Sequence, residues 1–177
     1  IAEGFKVQEA SIRSGLRKGR RQNSKDVAKA KVSESVNKYE EEKYALVLAI
    51  HANLYEHLIE EVDESYFFVE KYKNVFSFLE SNYTTIIEVS DPSALLNLIE
   101  DETVRNDLSE LIYEEPPVAV IDKFILEMKL RKLKKDFEIV SAQLIQSPVD
   151  TELLKKRKSL RTQIRLLGAQ VVGKTLH

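Results

Sequence analysis

Residues 118–171 read VAVIDKFILEMKLRKLKKDFEIVSAQLIQSPVDTELLKKRKSLRTQIRLLGAQV, and their apolar spacing decides the fold. Leu126, Leu130, Leu133, Phe137, Val140 and Leu144 step by four, three, four, three and four residues. That alternation holds a narrow stripe on one side of a helix and makes the seam of a coiled coil. Ile121, Ile125 and Met128 form a second stripe at the start of the segment, suited to packing on a separate core. Ser147-Pro148-Val149-Asp150 interrupts the pattern, and Asp150 or Thr151 can cap a return helix. There Leu153, Leu160, Ile164, Leu167 and Val171 continue the seam, with Arg157 intruding at one seam position. Two such helices joined by a short turn are expected to fold back as an antiparallel hairpin.

Upstream, the pattern is of short helices. Leu46, Ile50, Leu54 and Leu58 recur every four residues, with a break near Ala52–Asn53 that divides two helices. Asp63 can cap a short turn carrying Tyr66 and Phe67. Phe68, Tyr72, Val75, Phe76, Leu79 and Tyr83 then follow the spacing of a buried helix face. Thr84 to Val89 is β-branched, but with no second strand to pair with it is read as a loop. Ser90-Asp91-Pro92 is a helix-start signal, with Leu95, Leu98 and Ile99 as that helix's face. Asp101 opens another helix, with Val104, Leu108, Leu111 and Ile112 apolar. Pro116 and Pro117 stop it and start the next. The expected fold is all-α. A bundle of about six helices spans residues 39–126, and a long helix with a C-terminal antiparallel helical hairpin occupies 127–177.

Before Tyr39 the chain changes character. Within residues 1–16, Val7, Ile12 and Leu16 suggest one short amphipathic helix, Gln8 to Leu16, too short to be stable alone. Residues 17–38, RKGRRQNSKDVAKAKVSESVNK, are polar and basic with almost no large apolar side chain, so they are expected to form a flexible linker. Ile1 in place of Met leads us to expect a piece of something longer.

Composition narrows the class. With 177 residues, 43% of them hydrophobic and 32% charged, the chain can bury one ordinary domain or one domain and an appendage. The longest apolar run, Tyr44 to Ile50, is far too short to span a bilayer, and no secretory signal is visible. Cysteine is absent, which excludes disulfides and thiolate metal sites and fits a cytoplasmic location. The net charge of −2 hides a segregation. Residues 1–38 carry 10 basic and 4 acidic side chains, residues 39–128 carry 5 and 21, and residues 129–177 carry 12 and 4. An acidic body between two basic ends does not look like one nucleic-acid surface; it serves either solubility and repulsion of wrong contacts or faces for different partners.

Motifs for catalysis are weak. Gly168-Ala-Gln-Val-Val-Gly173-Lys174-Thr175 matches the phosphate-loop pattern by letter. The chemistry needs a strand leading in and a helix following, whereas here a helix leads in and the chain ends. His51 and His57 are six apart, not at the four-residue spacing of paired metal ligands, and His177 stands alone. The acidic runs Glu40–Glu42, Glu60–Glu64 and Glu100–Glu102 lack the spacing of a calcium loop and read as helix-terminal charges on a solvated face. Tyr66, Phe67, Phe68, Tyr72 and Phe76 fall at helical spacing beside aliphatics, as core residues do. Lys129 to Lys135, and Lys155 to Lys158 with Arg161 and Arg165, could meet an acidic protein, stay solvated or grip phosphates; we rank them in that order.

Two stretches carry a family resemblance. One is Glu41-Glu-Lys-Tyr-Ala-Leu-Val-Leu-Ala-Ile50, followed by Leu54, Leu58-Ile-Glu-Glu-Val-Asp63, Phe67, Val75-Phe76 and Leu79. The other is Val7-Gln-Glu-Ala-Ser-Ile-Arg-Ser-Gly-Leu16. With the order of bundle, long helix and hairpin, they resemble the C-terminal helicase-binding region of bacterial DnaG-type primases. The second stretch looks like the tail of that family's polymerase domain.

The resemblance implies a non-catalytic interaction domain that docks on the N-terminal domains of the hexameric DnaB-type replicative helicase. It would tether RNA primer synthesis to the replication fork, with the hairpin supplying much of the affinity. Single-strand-binding protein is a further partner in some relatives. No cofactor is expected in this region, since the family's zinc and magnesium belong to upstream domains. Direct nucleic-acid binding and membrane contact are not expected. The residues expected to touch the partner are Leu144, Ile145, Val149, Leu154, Arg157 and Arg161. The alternatives are the helicase's own N-terminal domain, a basic nucleic-acid-binding module, and a nucleotide hydrolase at the phosphate-loop match.

Overall fold

A computed structural model describes residues 39–89 and 91–174, and every regular element in them is helical. Residues 1–38, with the expected short helix and linker, lie outside the described residues. The described residues from Glu41 onward form one compact unit.

Helix α1, Glu40–His51, opens with three glutamates, which favour the positive end of the helix dipole. It then buries every residue from Ala45 to Ile50, so it runs through the centre of the core rather than along its edge. Asn53 ends it in the left-handed conformation, φ 54°, which Asn tolerates better than most residues. The Leu54 N–H closes back on the Ala49 carbonyl at 2.9 Å. Helix α2, Tyr55–Glu61, buries Tyr55 and Leu58. Asp63 accepts from the Ser65 N–H at 2.7 Å and so caps the 3-10 turn Glu64–Tyr66. Helix α3, Glu70–Ser81, buries Tyr72, Val75, Phe76 and Leu79, and the Phe76 ring stacks on Phe67 with centroids 4.7 Å apart.

Two local expectations change here. Thr84–Ile86, read as loop, belongs to helix α4, Tyr83–Ile86. The Asn82 carbonyl accepts from the Thr85 and Ile86 N–H groups, and Ile86 is fully buried, so burial outweighs the β-branched preference. The segment opened by Asp91 is a 3-10 helix, Pro92–Leu98, capped by the Ser93 N–H on Asp91 at 2.9 Å. Leu98, expected on its buried face, is exposed; Leu95, Leu96 and Ile99 meet the core instead.

Helix α5, Glu102–Ile112, starts as expected at Asp101, whose carboxylate accepts from the Thr103 and Val104 N–H groups at 2.7 and 3.1 Å. After Pro116 and Pro117 the chain stays irregular until helix α6, Ile121–Gln146, so the prolines end one helix without starting the next. Helix α7 spans Thr151–Lys174. Asp150 caps it through the Glu152 and Leu153 N–H groups, both at 3.0 Å.

α6 serves two cores without interruption. Ile121, Phe124, Ile125 and Met128 are buried in the bundle, while Val140 and Leu144 close with Leu160 of α7 in a separate cluster. Leu133, Phe137 and Leu153 pack on that second cluster. The antiparallel hairpin is therefore α6 against α7, the most extensive helix pairing in the described residues. On α6, Lys135 lies over the Phe68 ring of the bundle. The eleven residues from there to Gln146 carry the arm on by about 16 Å at 1.5 Å per residue. Gly168 through Lys174 are helical, so the phosphate-loop pattern forms no loop over those residues.

Candidate docking surface on the helical hairpin

A polar junction lies where the bundle core ends and the hairpin core begins. The Glu42 side chain is fully buried, which corrects its reading as a solvated charge. Its carboxylate accepts from the Phe68 and Val69 N–H groups at 2.9 and 3.1 Å and from the Arg131 guanidinium at 2.6 Å. Arg131 also donates to Glu41 and, at 3.1 Å, to the Tyr66 carbonyl. The Phe68 ring lies under two cations, Arg131 at 4.8 Å and Lys135 at 3.9 Å. Lys129 bonds to Glu61, and the His57 ring meets Asp122 at 2.6 Å.

Burial drives the Glu42 carboxyl above its ordinary range, while the two backbone N–H groups and Arg131 pull the other way. The Lys129 ammonium, by contrast, holds Glu61 below it. A buried ion pair of this kind adds little net stability but strongly penalises misplacement of either partner.

Beyond the junction lies the surface that a partner could reach. At the tip, Ile145 and Val149 are 81% and 87% exposed, and Leu154 is 45% exposed. Leu144, expected among the contacts, is buried against Val140 and Leu160, so it holds the hairpin shut and offers no face. Arg157 sits at its seam position by laying its guanidinium over the Phe137 ring, 5.4 Å from the centroid, and remains exposed. Arg161 is exposed too. Helix geometry places Leu154, Arg157, Lys158 and Arg161 on one flank of α7, three and four residues apart. Five of the six expected contact residues are thus exposed around the tip and the first turns of α7.

The basic residues of the two legs differ. On α6, Lys129, Arg131 and Lys132 each meet a carboxylate of the same chain, the last being Asp136 at 3.3 Å, whereas Lys134 and Lys135 meet none among the described residues. On α7, Lys155 pairs with Glu152 at 2.8 Å, but Lys156, Arg157, Lys158, Arg161 and Arg165 meet no carboxylate among the described residues.

The sequence reading missed the Glu42–Arg131 junction. Its signal was there: a glutamate three residues before an unbroken buried run, and an arginine between the two apolar stripes of α6. No group of three or more His, Asp or Glu side chains among the described residues could hold a metal ion. No described helix is long and apolar enough to cross a membrane. The chain matches no protein-family profile, no curated protein and no solved structure.

Proposed function

We propose that this chain is an interaction module that docks through its hairpin on the N-terminal domains of a hexameric replicative helicase, as the resembling region of DnaG-type primases does. In that reading the basic segment before Tyr39 is a tether. It keeps an upstream polymerase domain at a raised local concentration beside the helicase. The observation that supports it best is the exposed apolar tip, Ile145, Val149 and Leu154, on a helical arm that continues past the Glu42–Arg131 ion pair. Exposed aliphatics at the end of a rigid helical arm suit insertion into a partner groove.

The test is a titration of a replicative helicase hexamer with the chain, read by native mass spectrometry. The wild-type chain is expected to bind, and Ile145→Asp with Val149→Asp is expected to abolish binding while leaving the circular dichroism unchanged. Undiminished binding by the double variant would refute the proposal.

A further inference from the structure

We infer that the exposed flank of α7 is an arginine ladder for an acidic helix on the protein partner, presenting carboxylates at four-residue intervals. The inference deepens the helicase-docking reading and rests on it for the partner's identity. Three observations carry it. Arg157, Arg161 and Arg165 stand four residues apart, a rise of about 6 Å per step; Arg157 is stacked on Phe137 at the foot of the ladder, and Arg161 and Arg165 are its exposed rungs. From Leu153 to Gly173 the helix has no acidic residue, and none of the three arginines meets a carboxylate elsewhere among the described residues. Like charges at this spacing weaken a free helix, and among the described residues no carboxylate relieves them. Carboxylates spaced four apart on a facing helix would match the ladder rung for rung, and the planar fork of Arg suits bidentate pairing.

The same arginines could hold phosphates, and two features favour a protein. The ladder begins beside the apolar tip, where Leu154 lies on the same flank, and Val172 further along that flank is 64% exposed. A helix-in-groove contact uses such aliphatics, and a phosphate backbone does not. The helix α7 also contains no aromatic side chain on which a base could stack.

The test uses the whole chain and two labelled probes. One is a synthetic amphipathic helical peptide with glutamates at four-residue intervals beside an apolar stripe; the other is an oligothymidine. Arg161→Glu with Arg165→Glu leaves Arg157 on Phe137, and the corresponding double glutamine variant guards against damage to the helix. By fluorescence anisotropy the peptide is expected to bind the wild-type chain more weakly as salt rises. The affinity should fall about two- to fivefold for each arginine neutralised, further for the glutamate variant, and recover when the peptide's glutamates are changed to lysine against that variant. Equal affinity across the variants, or tighter binding of oligothymidine than of peptide, would overturn the inference. A chain that binds the peptide through its arginines but not the helicase hexamer would sink the proposed function and leave the ladder standing. Helicase binding indifferent to these arginines would do the reverse.

Discussion

Arg131→Met tests the junction between the bundle core and the hairpin core. The variant keeps the length and apolar contacts of the side chain but leaves Glu42 fully buried without its cation. Removing one member of a buried pair costs about 3–5 kcal/mol. Here the low end applies, about 3 kcal/mol, because two backbone N–H groups still bind the carboxylate and Arg131 itself is 17% exposed. With a urea slope of about 2 kcal/mol per molar, the midpoint followed by far-UV circular dichroism should fall by about 1.5 M.

The pH dependence has a definite sign. Burial already holds the folded Glu42 carboxyl above its ordinary 4.5, and loss of Arg131 removes one of the influences opposing that rise. A carboxyl raised in the folded state favours the protonated form. Its destabilising effect therefore appears as pH climbs from the unfolded value through the folded one, and disappears on acidification. The deficit of the variant should be full at neutral pH and shrink toward acid. A loss below about 1 kcal/mol at neutral pH, or one that grows as pH falls, would show that Glu42 and Arg131 are not coupled in this way.

Other substitutions separate the two cores and test the caps. Phe76→Ala, at a fully buried ring stacked on Phe67, should cost about 3–5 kcal/mol and lower the melting of the whole bundle. Leu160→Ala should cost about 2 kcal/mol, felt first by the hairpin: amide exchange should quicken along α7 while α1 and α3 stay protected. Asp101→Ala removes a cap that satisfies two N–H groups of α5, and a thermal melt should register about 1 kcal/mol.

The helices, their caps and the hairpin could be read from the sequence because they depend on neighbours along the chain. Seam spacing in α6 and α7 and the caps Asp63, Asp101 and Asp150 are set within a few residues of each other. The same local reading gave the exposed tip, since Val149 sits in the turn and Ile145 falls beside the seam. The seam spacing already put Leu144 inside the hairpin and Ile145 outside it, so naming Leu144 as a contact went against the pattern, and its burial against Val140 and Leu160 follows the spacing. Local spacing could not foresee that Ile86 would be buried, which decides helix against loop at Thr84–Ile86. Glu42 and Arg131 are 89 residues apart, and their meeting depends on how α1, the turn before α3 and α6 converge. Local spacing determines which segments coil and which stripe they bury; only the packed bundle decides which charge is drawn inside and where the arm points, because burial and partnership belong to the assembled chain.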